Sequence, residues 1–99
     1  MTLNRTDYQK NSVVYKILSS PIRLEILHSL KDGEKSVFEL LKQIKIRKSA
    51  LSQHLAILRN TELVNSKRSG QNILYSIKNP ELLDACFLFS SLRADKKLR

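Results

Sequence analysis

The apolar residues of this 99-residue chain recur at helical spacing along nearly its whole length, except between Leu63 and Ile77. There, two short runs at residues 63–67 and 72–77 are rich in β-branched or aromatic residues, and the segment between them contains Gly70. Such runs around a glycine predict a β-hairpin, with the glycine supplying a positive φ. The chain is therefore expected to be mainly α with one small β-hairpin, in the order α-α-α-α-β-β-α.

Proline, serine and glycine predict the limits of the first two helices. The first helix is expected over residues 7–18. The second is expected to begin at Pro21, because proline fits the first turn of a helix and Ser20 can cap its free N–H groups. It is expected to end near Gly33, which can take the left-handed conformation of a helix C-cap.

A capping box predicts the third helix. Ser36 and Glu39 have the spacing at which each side chain can bond to the other residue's backbone N–H, so a short helix is expected from there through Ile44. A fourth helix is expected to open near Arg47 or Lys48. Four helices would then precede the hairpin.

The fourth helix has one narrow apolar stripe, formed by Leu51, Leu55 and Leu58. Its other face carries Lys48, Ser49, Ser52, Gln53 and Arg59, with His54 near the boundary. Side chains of these kinds can bond to base edges and phosphates, although most polar helix faces are simply solvated. The face alone therefore leaves both interpretations open.

The positive charge of the chain is concentrated in residues 40–79. This stretch holds eight Lys or Arg and one acid, Glu62, and so carries +7 of the formal +9. Lys67 and Arg68 fall near the expected tip of the hairpin, where they can reach phosphates or a minor groove. A helix and a ribbon that share a basic region favour a double-stranded DNA partner.

Three segments in this order resemble the ArsR family of prokaryotic winged helix-turn-helix repressors. They are SPIRLEIL at residues 20–27, KSALSQHLAILR at residues 48–59 and the hairpin at residues 63–77. The resemblance implies one winged helix-turn-helix domain over residues 1–99 that dimerises mainly through its first and last helices. It also implies a recognition helix at 48–60, a wing at 63–77 and an inverted-repeat operator.

The resemblance and the charge pattern together predict the DNA-contacting residues. They are Arg47, Lys48, Ser49, Ser52, Gln53, His54, Arg59, Lys67, Arg68 and Gln71. In this division of labour, Ser49, Ser52 and Gln53 read bases in the major groove, while the wing and the helix termini contact the backbone.

The last helix, expected over residues 80–93, is apolar over more than half of its circumference. A monomer of this size cannot easily bury such a helix, so a dimer is expected, the alternative being a helix buried at the centre of its own fold. The expected interface residues are Val13, Val14, Ile17, Leu82, Leu83, Cys86, Phe87 and Phe89. The basic tail at residues 94–99 is expected to be solvated.

The chain departs from the metal-sensing members of the family. Residues 36–39 read Ser-Val-Phe-Glu where many members have Cys-x-Cys, and residues 80–99 contain no His. Neither a metal nor a cofactor is therefore predicted. Cys86 is interpreted as a packing residue, with an intersubunit disulfide as the alternative. Glu62 replaces the family's usual Gly, so the turn is expected to differ, with Asn60 as the left-handed residue.

The function predicted first is sequence-specific DNA binding as a homodimeric transcriptional repressor. The alternative is a winged-helix module that binds RNA or protein without operator specificity. An enzyme is not expected, since the sequence shows no cluster of a nucleophile, a base and an orienting acid. It also shows no glycine-rich loop that could bind phosphate, because only two Gly are present. A cytoplasmic protein without a membrane partner is expected, because the chain has no apolar run of about 20 residues and no signal peptide. The sequence does not identify a small effector.

Overall fold

The computed structural model describes residues 2–81, 83 and 84. Its helices are α1 (Arg5–Leu18), α2 (Pro21–Ser29), α3 (Val37–Gln43) and α4 (Lys48–Asn60), with a 3₁₀ turn at Leu30–Asp32. Its strands are β1 (Lys35–Ser36), β2 (Val64–Ser69) and β3 (Asn72–Ile77). Most of the helix expected over residues 80–93, including Leu82, Cys86, Phe87 and Phe89, lies outside the described residues.

Short polar caps begin the first three helices. Ser20 and Ser36 cap α2 and α3 as expected, and the Ser36–Glu39 capping box is complete. α1 begins two residues before the expected position, because Asn4 and Asp7 form a second capping box. The starts of these helices are thus set by local hydrogen bonds to polar side chains.

Two details of backbone conformation differ from the sequence predictions. Gly33 has a positive φ of 140 with ψ 176, a conformation that favours glycine but differs from the left-handed helical one, and it caps the 3₁₀ turn rather than α2. Asn60 stays helical, and Glu62 takes the positive φ of 62 instead. The Leu63 N–H then bonds to the Leu58 carbonyl at 2.9 Å, which completes a Schellman motif at the end of α4.

The three strands form one antiparallel sheet in the order β1-β3-β2. β1 was not predicted, because two residues are too few to show strand periodicity. β2 continues to Ser69, and Gly70 with φ 63 opens a two-residue turn that is shorter than the expected segment 68–71. The pairing of Ser36 with Leu74 places the start of α3 beside the hairpin.

The core is formed by one apolar face from each helix, together with the base of the hairpin. The predicted stripe of Leu51, Leu55 and Leu58 is fully buried and attaches α4 to this core. Tyr75 and Ile77 of β3 pack against the same cluster. α4 and the hairpin therefore have a fixed relation to each other, because both lie on one core.

The described part of the expected dimer interface divides in two. Ile17 and Leu83 are buried in the core of this chain, and Val14 packs against that core. Val13 remains exposed on α1. Of these four residues, only Val13 leaves most of its side chain available to a second copy.

Candidate nucleic-acid interface

A helix-turn-helix unit is formed by α3 and α4. The four residues 44–47 join the two helices, and Ile44 is buried where α3 ends. Arg47 is the N-cap of α4, but its side chain makes no capping bond and the first turn contains no acid. The free N–H groups at the start of α4, with Arg47 and Lys48 beside them, therefore favour anions such as phosphate.

The polar face of α4 is exposed, as the leucine stripe predicted. Among the predicted contacts, Ser49 and Gln53 lie most directly opposite the buried stripe, since each is two residues, about 200° around the helix axis, from Leu51. Lys48, Ser52 and Arg59 are also exposed, toward one flank of this face. All five side chains are thus available to one elongated partner.

His54 differs from the other predicted contacts on α4. It is only partly exposed, and its Nδ1 is buried without a hydrogen-bond partner. This position agrees with the boundary location expected from the sequence. Of the predicted residues, His54 is therefore the one whose reach beyond the protein surface is most restricted.

The hairpin places its two predicted cations on opposite faces. Lys67 pairs across the strands with Leu74, and Arg68 with Ile73. Successive side chains of a strand point to opposite sides, so Arg68 shares the face of Ile73, Tyr75 and Ile77, while Lys67 does not. Both cations were predicted to lie together near the tip of the hairpin, whereas the structure places them on opposite faces of it.

Gln71, the remaining predicted wing residue, is exposed in the turn after Gly70. It borders a groove of about 420 Å³ between α3, the start of α4 and the hairpin. Side chains that line this groove include Val37, Phe38, Leu41, Lys48, Gln71 and Ile73. Elements predicted to contact DNA therefore form two sides of the groove.

Two exposed apolar residues on the helices of this region were not predicted as contacts. Phe38 is 67% exposed, with Lys42 Nζ 4.6 Å from its ring centroid. Ile57 is exposed on α4, four residues after Gln53. The sequence could have indicated that both are exposed, because each falls outside the buried apolar stripe of its own helix.

One carboxyl group in this region has a shifted pKa. The Ser36 backbone N–H donates to Glu39 Oε1 at 3.0 Å, and this hydrogen bond, followed by that from the Ser36 side chain, lowers the pKa of Glu39. The lowered pKa favours the carboxylate form of Glu39 in the capping box. It does not line the groove.

Within residues 2–81, 83 and 84, no group of three or more His, Cys, Asp or Glu side chains is placed to hold a metal ion. No helix in the same part of the chain is long and apolar enough to cross a membrane.

A helix-turn-helix followed by a basic antiparallel hairpin on the same core defines a winged helix-turn-helix domain. The family model described as "Bacterial regulatory protein, arsR family" matches residues 20–66, from the cap of α2 into β2. This stretch contains the whole helix-turn-helix unit.

Known proteins share both the sequence and the fold. The transcriptional activator HlyU of Vibrio cholerae is 39% identical over 84 residues, which cover 81% of this chain and 78% of HlyU. The transcriptional repressor SdpR of Bacillus subtilis is 36% identical, with 73% of this chain and 80% of SdpR covered. A solved structure of V. cholerae HlyU superposes with a TM-score of 0.79 at 35% identity, covering 92% of this chain and 99% of that one.

The chain belongs to the ArsR family, and it is a DNA-binding transcriptional regulator. The resemblance found in the sequence and the predicted winged helix-turn-helix fold are both confirmed.

Proposed function

We propose that the chain is a homodimeric repressor that binds an inverted-repeat operator through α4 and the hairpin. The observation that carries this proposal is the exposed polar face of α4 beside a basic wing on the same core. The face has the width of one helix, which the major groove of B-DNA admits. The wing extends from the end of α4 and can follow the adjacent backbone.

Within the proposed complex, different side chains supply affinity and specificity. Ser49, Ser52 and Gln53 read base edges, because their exposed hydroxyl and amide groups both donate and accept hydrogen bonds. Arg47 and Lys48 contact phosphates at the start of α4. These latter contacts fix the register of the protein on the duplex without reading its sequence.

The wing and the end of α4 add contacts to the backbone. Lys67, Arg68 and Gln71 are exposed along the hairpin, and Arg59 is exposed near the end of α4. Their contribution depends on salt, because each cation that neutralises a phosphate releases counterions. His54 is the least accessible of the proposed contacts, as its Nδ1 is buried.

A two-fold dimer is part of the proposal because an inverted repeat presents its half-sites in two-fold symmetry. Two copies of α4 would lie about 34 Å apart, one turn of DNA, or a multiple of that spacing. Tyr8, Val13 and Tyr15 leave exposed apolar surface on α1, which agrees with α1 as part of the seam. Sedimentation that showed a monomer at micromolar concentration would contradict the dimer.

Repression is proposed as the result of occupying the operator near a promoter. The relatives include both a named activator and a named repressor, so the proposal of repression is tested by whether the bound site overlaps a promoter. Because the prokaryotic chromosome lies in the cytoplasm, we propose that compartment as the place of action.

The decisive experiment selects fragments of the native genome that the full chain binds. Selection with and without metals, oxidants and sulfur species also tests for an effector. The recovered site is then compared with random duplex and with RNA over a range of salt concentrations. A two-fold symmetric site bound far more tightly than random duplex supports the proposal. Equal affinity for all three nucleic acids would instead indicate a module without operator specificity.

A further inference from the structure

The groove between α3, α4 and the hairpin holds exposed apolar surface inside an otherwise polar and basic region. Phe38 on α3 is 67% exposed and Ile73 on β3 is 38% exposed, and both line the groove. They are brought together because the pairing of β1 with β3 sets the start of α3 beside the hairpin. The two residues are 35 positions apart in sequence, so this apolar surface is a product of tertiary structure.

Cations surround this apolar surface on several sides. Lys48 lines the groove from α4, Lys42 Nζ lies 4.6 Å from the centroid of the Phe38 ring, and Arg68 pairs with Ile73 across the hairpin. Among the described residues that line the groove, none is acidic. An occupant with apolar surface between negative groups would match this arrangement.

We infer that the groove receives the sugar–phosphate backbone of one DNA strand, with Phe38 and Ile73 packed against deoxyribose and the surrounding cations directed to the flanking phosphates. Phe38 is then a DNA-contacting residue outside the recognition helix and the wing. This inference rests on the proposed function, because it assumes a duplex held between α4 and the hairpin.

A strand of nucleic acid fits the groove better than an apolar peptide or a second copy of the chain. Either of those would cover Lys48 and the surface near Arg68, so the occupant would have to supply acids to avoid burying unpaired charge. A DNA strand carries one negatively charged phosphate per nucleotide and the apolar surface of deoxyribose between successive phosphates. The groove is also continuous with both elements that are proposed to hold the duplex.

Packing on deoxyribose makes a specific experimental prediction. Apolar contact depends on buried area and releases no counterions, whereas phosphate contacts do. Loss of the Phe38 ring should therefore lower the affinity for every duplex by a similar factor and leave the salt dependence unchanged. Substitution of a phosphate-binding Lys should flatten the salt dependence.

The test compares Phe38→Ala with Phe38→Leu, which keeps an apolar side chain, and with Leu3→Ala, which removes an exposed apolar side chain outside α1. Affinities for the selected operator and for random duplex are measured over a range of salt concentrations. Thermal unfolding of each variant is recorded alongside, although Phe38 is too exposed for its loss to open a cavity.

The expected result is about a tenfold loss for Phe38→Ala on both duplexes, with an unchanged salt slope. Phe38→Leu should lose clearly less, and Leu3→Ala should match the wild type. Ile73→Ala should show the same salt-independent loss in smaller measure.

Three outcomes would overturn the inference while leaving the proposed function intact. One is wild-type affinity in Phe38→Ala, as expected if a small molecule or a protein occupies the groove. Another is a change in sedimentation of Phe38→Ala, which would indicate a second copy. The third is a flatter salt slope, which would mean that the ring only positions cations. Failure of the wild type to prefer its operator would reject the proposed function itself.

Discussion

Lys67 Nζ lies 3.4 Å from Glu34 Oε2, so a cation of the wing is paired with an acid from the segment before β1. Both side chains are well exposed, at 65% for Lys67 and 44% for Glu34, and such a pair contributes little to folding stability. In the proposed complex, however, a DNA phosphate competes with Glu34 for the same ammonium group. Glu34 therefore lowers the affinity that the wing can provide.

The first prediction concerns Glu34→Gln. Removal of this carboxylate should raise the affinity for operator and random duplex alike by a few fold and should steepen the salt dependence. The reason is that Lys67 must leave Glu34 before it binds a phosphate in the wild type, whereas in Glu34→Gln it binds the phosphate without losing an ionic partner. Fluorescence anisotropy on both duplexes over a range of salt concentrations measures the effect.

The matched control is Glu62→Gln, which changes the net charge equally. Glu62 also forms an exposed ion pair, 3.3 Å from Lys78 Nζ, but at the base of the hairpin. It should have a smaller effect than Glu34→Gln. Equal gains in the two variants would show that overall charge, and not the Glu34–Lys67 pair, limits the affinity.

The second prediction separates base reading from phosphate binding. Gln53→Ala should cost about 1 to 3 kcal/mol on the operator and relax the preference at one base pair, since an exposed amide on α4 is lost. Lys67→Ala should weaken all duplexes alike and reduce the salt slope, by at most about 1, because Glu34 already occupies part of the Lys67 charge. Binding to a set of singly substituted operators distinguishes the two patterns, and equal, sequence-independent losses would reject the division of roles.

The third prediction concerns the left-handed residue after α4. Glu62 has φ 62, a conformation that costs an L-residue with a side chain about 1 kcal/mol and that glycine adopts freely. Glu62→Gly should therefore raise the free energy of unfolding, measured by chemical denaturation. Glu62→Gln separates strain from charge, because it removes the Lys78 pair and keeps the side chain. A gain of the same size in Glu62→Gln would assign the effect to charge.

The fourth prediction is a pH dependence set by Glu39. The Ser36 backbone N–H holds the pKa of Glu39 below its ordinary value, so the folded state prefers the carboxylate. The associated stability is fully present above the ordinary pKa and is lost as the pH falls through the lowered pKa of the folded state. Glu39→Gln should therefore lose less stability than the wild type on acidification below about pH 5.

Denaturant unfolding at a series of acidic pH values tests this prediction. The difference in unfolding free energy between wild type and Glu39→Gln should shrink steadily as the pH falls. A difference that stayed constant over the whole range would mean that ionised Glu39 contributes nothing through the capping box.

The helices were largely predictable because their causes are local. Ser20 and Ser36 act through residues three positions away, and the stripe of Leu51, Leu55 and Leu58 follows from helical spacing alone. The exposed face of α4 then consists of the residues that lie outside this stripe. The start of α1 was predicted two residues too late, although the Asn4–Asp7 capping box that sets it is equally local.

The errors fall where two local signals compete or where a partner is distant. Asn60 and Glu62 both lie near the end of α4, and either could adopt a positive φ. The burial of Leu63 favours Glu62 as the residue that does so. β1 exists because β3 provides its hydrogen bonds, and two residues carry no period of their own. Neither outcome can be read from the propensity of the residues involved.

The sequence by itself determined the order of helices and hairpin, the buried face of α4 and the concentration of basic residues, because each depends on contacts or charges within a few positions. Only the tertiary structure decided that Lys67 faces Glu34, that Arg68 shares a face with Ile73, and that Phe38 meets the hairpin across a groove. These relations join residues more than thirty positions apart or depend on strand register. The physical reason is that successive side chains of a strand point to opposite faces, so a shift of the pairing by one residue would exchange the faces of Lys67 and Arg68. The common core and the Gly70 turn fix this pairing.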